Sequence, residues 1–290
     1  MSEADAAAWS AGGTTVETTD GAVWMRFVAA ASPTPGHDPL LVLHGFPSSS
    51  FDWRHVLPAL SATHDVVLFD FLGFGSSSKP DRRYSIELHA NTAEAVVAQA
   101  GLERVLLVSH DMGNSVGGEL LARDLADELD FTIARRLLTN GSIYIEMAQL
   151  TAGQEFLLAI DDAPVDLGDD AQSIFCGGVA ATFSEAHPAT PDELAGHWAL
   201  MSRDDGHRLL PRTIRYIEDR RAREARYTRS IEQHPSPVHV VWGREDPVAV
   251  HAMTDRLLAA RPDATLVTLD DVAHWPMIED PEGFVRAARL

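Results

Sequence analysis

The chain has 290 residues, 45% hydrophobic and 23% charged, which excludes wholesale disorder, collagen and coiled coil and suits one large α/β domain that needs neither disulfide nor metal. Forty-three acidic residues against 23 basic ones give a net charge of −20; nucleic acid and anionic membrane are repelled at long range, and strongly anionic substrates are disfavoured unless a local basic site overrides the balance. Cys176 is the single cysteine, so an intramolecular disulfide is excluded, and no matched histidine points to a catalytic thiol.

The first residues, MSEADAAAWSAGG, have an acidic start and no apolar core, so no secretory signal is expected. No apolar run reaches the roughly 18–20 residues of a membrane span. The expectation is a soluble, cytoplasmic protein with no nucleic-acid or membrane partner; a homodimer is one option for its assembly.

Strands are expected at 15–19, 23–29, 40–43, 66–69, 105–108, 136–138, 238–242 and 265–269, with amphipathic helices near 51–61, 86–100, 112–125 and 250–260. The first two strands are separated only by Asp20–Gly21, a hairpin signal, so the sheet should begin antiparallel. Later strands such as VVLFD and VLLVSHD are apolar on both faces and alternate with helices, the pattern of a buried parallel sheet. The third strand runs into HGFP, which offers the backbone N–H of Phe46 as one oxyanion donor. After the fourth, GFGSSSKP lacks a dinucleotide or Walker spacing and reads as a turn.

The fifth strand carries the chemistry. It enters Ser109-His110-Asp111-Met112-Gly113, where a strand turning sharply into a helix strains its apex residue and requires small neighbours. The apex stands at a helix N-terminus, where free N–H groups favour negative charge. It is Asp111 rather than serine. A carboxylate attacking an ester carbonyl gains little, but one displacing at saturated carbon forms an alkyl ester that water can cleave. Epoxides and alkyl halides are the electrophiles that fit. The N–H of Met112 would join that of Phe46 in the oxyanion hole.

From 143 to 233 no strand is expected. An acidic loop (DDAPVDLGDD), a Pro-punctuated loop (HPATPDE) and an Arg-rich helix read as a helical insertion between core segments 1–142 and 234–290. The arginines of that helix (Arg212, Arg215, Arg220, Arg221, Arg223) are expected in salt bridges with acidic neighbours. The seventh strand ends at VHVVWGREDP, offering Asp246 to orient a histidine, with Glu245 as its competitor; DVAHWP after the last strand offers His274. Nucleophile, acid and histidine follow in the order used by α/β-hydrolases. Most of the other histidines read as surface or structural residues, with His110, beside the apex, set apart from them. No HExxH spacing appears, so no metal and no cofactor is expected.

Taken together these motifs resemble the α/β-hydrolase superfamily. LHGFPSSSFDW, DFLGFGSSSKP, YSI, SHDMGN, NGSI and YIEDR look most like the mesoderm-specific transcript (MEST) proteins and their bacterial relatives, a group placed beside the epoxide hydrolases. The resemblance implies an eight-stranded, mostly parallel sheet with helices on both faces and an inserted helical cap. It implies Asp111 as nucleophile, His274 as water-activating base and Asp246 as its partner. Epoxide hydrolases protonate the ring oxygen with cap tyrosines; Tyr216 in RTIRYIEDR falls at the late one, while the early one has no clear match and Tyr144 substitutes for it only if the start of the cap bends over Asp111. Phe46, Met112 and Trp198 are expected to line a pocket for a small, neutral, hydrophobic substrate and water. Haloalkane dehalogenases are the rival; they usually carry Trp after the nucleophile, where Met112 stands, although Trp198 could supply an N–H. Fluoroacetate dehalogenases normally place Arg there. A MEST-like binding protein without catalysis is the third alternative.

Overall fold

The computed structural model describes residues 3–34 and 36–290. Eight strands form one sheet: β1 (Thr14–Thr18), β2 (Gly21–Val28), β3 (Leu40–Leu43), β4 (Val66–Phe69), β5 (Arg104–His110), β6 (Thr132–Thr139), β7 (Val238–Gly243) and β8 (Thr265–Leu269), in the order β1-β2-β4-β3-β5-β6-β7-β8. β1 pairs antiparallel with β2, and β2 with β4; every later pairing is parallel. The antiparallel start follows from the hairpin at residues 19–20. Every residue of β3 and β4 is buried, as apolar runs covered on both sides require.

Helices of eight residues or more are α1 (Glu3–Ala11), α2 (Ile86–Ala100), α3 (Met112–Asp124), α4 (Ala152–Ala159), α5 (Ala171–Ala180), α6 (Pro191–Ser202), α7 (Tyr216–Gln233), α8 (Ala252–Ala260) and α9 (Pro281–Ala288). α2 shows why such segments start and stop where they do. The Ser85 side chain accepts from the Leu88 N–H at its start, and Gly101 (φ 66°) ends it. The helix expected over 51–61 is instead a 3-10 turn, Ser50–Trp53, and a four-residue helix, Leu57–Leu60. Pro58 has no N–H to give, so it starts a new helical turn rather than continuing one. α1 escapes a sequence reading because its apolar face is mostly alanine; Trp9 anchors it against Trp24 and Phe51, ring centroids 6.2 and 5.9 Å away.

Only helices and loops lie between β6 and β7 among the described residues. α7, the last of them, departs from helical geometry at Arg223 (φ −124°, ψ 19°). Its second half packs on α3: Arg226 pairs with Glu119, and the Ser230 hydroxyl donates to the Gly118 carbonyl at 2.5 Å. None of the helices among the described residues is long and apolar enough to cross a membrane.

Candidate active site

β5 ends at His110 and α3 begins at Met112, which leaves Asp111 alone at the bend with φ 48° and ψ −117°. A non-glycine residue pays strain for that backbone, and the surroundings must hold it there. They do so by crowding. A Cβ on Gly113 would lie 2.8 Å from the His44 carbonyl, and one on Gly45 would lie 2.5 Å from Cβ of Asp111. Asn114, one turn on, ties the bend to β6 by donating to the Thr139 carbonyl at 3.0 Å.

The Asp111 carboxylate is buried. Its Oδ1 accepts the Phe46 N–H at 2.7 Å, and the Met112 N–H also stabilises its charge. Burial raises its pKa; the His274 charge, those two N–H groups and the more distant Arg220 pull it back. His274 Nε2 stands 3.6 Å from Asp111 Oδ2, and its Nδ1 is 2.8 Å from Asp246 Oδ2. The second oxygen of Asp246 takes the N–H groups of Val248 (2.7 Å) and Ala249 (2.9 Å). Burial pulls the His274 pKa down, but the Asp246 and Asp111 carboxylates outweigh it and raise it to about 9. Asp111, His274 and Asp246 are thus brought together. Glu245 is exposed, and only its backbone N–H is engaged, with the Val272 carbonyl.

Three residues position the triad; the sequence pattern does not pick out Asn140 and Glu279, and it sets His110 apart without a role. Asn140, at the end of β6, donates to Asp246 Oδ2 (2.8 Å) and to the Ala273 carbonyl (3.0 Å), and accepts the Gly243 N–H. Glu279 takes the N–H groups of Ala273 and Trp275 on either side of His274. His110 donates through Nε2 to the His274 carbonyl at 2.8 Å; burial, then the His274 charge, lowers its pKa well below the ordinary value and keeps it neutral.

Two cavities meet at this triad. The larger is apolar, walled by Phe46, His274 and Trp275 from the core and by Phe156, Ile174 and Phe175 from the insertion. The smaller contains Asp111, Tyr216, Arg220 and Arg221. Gln154 and Val248 border both. Tyr216 is buried with its ring 5.7 Å from that of Phe46. Burial first, then the Asp111 charge, pushes its pKa well above the usual range, so it holds its proton.

Several expected residues lie elsewhere. Tyr144 borders neither cavity: its hydroxyl is 3.0 Å from Glu232 and the Arg256 guanidinium covers its ring, so its side chain is held away although Ser142 and Ile145 on either side line the smaller cavity with Asp111. Trp198 packs behind the wall, against Phe175 and His207 at 5.6 and 5.3 Å. The Met112 side chain points into the interior and contributes its backbone N–H, not a lining surface. Phe46 does line the apolar cavity. Arg212, Arg215 and Arg223 form the expected salt bridges, but Arg220 faces the cavity instead.

With this geometry in view, comparison with known proteins is informative. The family model described as alpha/beta hydrolase matches residues 40–287. LipZ of Mycobacterium tuberculosis is 38% identical over 281 residues, 97% of this chain and 95% of LipZ. The mesoderm-specific transcript protein of Mus musculus is 32% identical over 256 residues, 86% of this chain and 76% of that protein. An α/β-hydrolase fold protein from Burkholderia ambifaria superposes with TM-score 0.78 at 23% identity, covering 94% of this chain and 96% of its own. The ancestral haloalkane dehalogenase AncHLD2 does so with TM-score 0.75 at 20% identity, covering 94% and 96%. At such identities these two structures speak to the fold alone.

Proposed function

This chain belongs to the α/β-hydrolase family, and from that premise we propose that it hydrolyses alkyl electrophiles, epoxides first, through a covalent ester of Asp111. The observation that carries this reading is a carboxylate, not a hydroxyl, at the strained apex, with an imidazole 3.6 Å away. Asp111 Oδ2 attacks a ring carbon; the new C–O bond forms as the ring C–O bond breaks. Tyr216 gives its proton to the departing oxygen, which becomes a hydroxyl. His274 Nε2 then takes a proton from water, and the resulting hydroxide adds to Cγ of Asp111. The oxyanion on Oδ1 is held by the N–H groups of Phe46 and Met112 until the Cγ–Oδ2 bond breaks; the proton left on the water-derived oxygen passes to the departing alkoxide, so the diol leaves neutral and Asp111 is again a carboxylate. The proton that His274 sheds once Asp111 is alkylated restores Tyr216 through solvent, and the one it then takes from water stays on the imidazole, which ends the cycle charged as it began.

Alkylation itself prepares the second step. The free enzyme has two carboxylates holding a proton on His274. Converting Asp111 to a neutral ester removes one, the imidazole pKa falls, and the ring is released to act as base.

The apolar cavity receives the hydrophobic part of the substrate. Halide departure finds fewer donors: Trp198 lies behind the wall, and the Trp275 indole N–H is taken by the Thr182 hydroxyl at 2.8 Å. The test is H274Q incubated with 1,2-epoxydecane and, in parallel, 1-bromodecane. Intact mass should rise by one whole epoxide, with the modification mapping to Asp111 and absent from D111N/H274Q. Gain of a decyl group from the bromide alone would make the protein a dehalogenase. No adduct from either reagent would leave a binding protein.

A further inference from the structure

The small cavity beside Asp111 contains a guanidinium with no direct hydrogen-bonded partner among the described residues. Arg220 is 7% exposed. Its neighbours are paired: Arg212 with Asp81 and Asp162, Arg215 with Glu218, Arg223 with Glu87 and Asp219, Arg226 with Glu119. Among the described residues no carboxylate pairs with Arg220 and no carbonyl accepts from it. Asp111, Tyr216, Glu224 and Arg221 act on it only through space. A guanidinium does not give up its proton in a protein, and a buried cation left unpaired is costly. Asp111 cannot discharge it through the reaction, because alkylation turns that carboxylate into a neutral ester. The missing anion has to arrive with the ligand.

We infer that Arg220 docks a carboxylate of the substrate, so that the natural ligand is an amphipathic alkanoate with its tail in the apolar cavity and its electrophilic carbon near the acid end. The electrophile rests on the Asp111 ester reading above; the carboxylate site does not. Gln154 and Val248 border both cavities, which are therefore adjacent, and the inferred ligand runs from one to the other beside Asp111. The planar fork of a guanidinium matches the two oxygens of a carboxylate. Arg221 adds positive potential at the rim of the same cavity. This is the local basic site that the net charge of −20 would otherwise forbid, and it replaces the expectation of a wholly neutral substrate.

The experiment is calorimetric binding of decanoate and of 1-decanol, neither of which can alkylate, to the wild type, R220Q and R220K at pH 7. Wild type should bind decanoate roughly ten- to a hundredfold more tightly than decanol, the range for a charge-assisted hydrogen-bonded pair. R220Q should lose that preference with unchanged decanol affinity, and R220K should keep part of it. Equal affinities in the wild type, or an undiminished preference in R220Q, overturn the inference. The two readings fail separately. An Asp111 adduct in H274Q without an Arg220-dependent preference sinks the carboxylate site alone; the preference without an adduct supports the site and sinks the ester.

Discussion

His274 sits between two carboxylates, and its proton is their common property. Its pKa in the fold, about 9, exceeds the roughly 6.5 of an unfolded histidine. The charged ring therefore stabilises the native state in full below about pH 6.5, and that contribution is lost as pH climbs towards 9. The wild-type melting temperature should fall across this window, and H274Q should show a flatter profile. Superimposable slopes in the two proteins would mean that the ring is not held charged. In the proposed ester mechanism the same coupling predicts a lower apparent pKa for the ester-cleaving step than the free enzyme shows.

At the level of elements, the bend between β5 and α3 depends on what is absent from its neighbours. In G113A the new methyl group meets the His44 carbonyl at 2.8 Å and the Leu43 carbonyl at 2.9 Å, and backbone cannot step aside as a side chain can. Overpacking of this kind costs about 1–3 kcal/mol, so denaturant midpoints should drop and Asp111 alkylation in a G113A/H274Q background should slow. An unchanged midpoint would show the bend to be looser than drawn. The strands and the triad were legible because both faces of the central strands are buried and because Asp111, Asp246 and His274 each follow a strand within a few residues. Arg220 was not, since five arginines in one segment look alike by charge. Helical spacing was the usable signal: Arg220 follows Tyr216 by four positions, on the same face. Tyr144 misled because a break in strand periodicity does not reveal which side chain of the irregular segment faces the cavity: Ser142 and Ile145 do, and Tyr144 is held by Glu232 and Arg256. Asn140 works across three loops, and no local pattern encodes that.

For the whole molecule, a charge of −20 surrounds a site inferred to take an anion. Like charge slows the approach of an alkanoate, and salt relieves it. Raising ionic strength from about 0.01 to about 0.15 M shortens the screening length from about 30 to about 8 Å. kcat/KM for a 2,3-epoxydecanoate should rise over that range while that for 1,2-epoxydecane stays level; parallel responses would remove the role of long-range repulsion. The same scale of view gives α7 a double allegiance. Its first half carries Tyr216 and Arg220 into the cavity of Asp111, and its second half, beyond the irregular Arg223, is bolted to α3, the helix that Asp111 begins. The insertion is therefore not a detachable module. A chimera cut after residue 233 would carry off the buttress of its host's β5–α3 bend, whereas a seam at Arg223 would exchange the roof and leave the buttress standing.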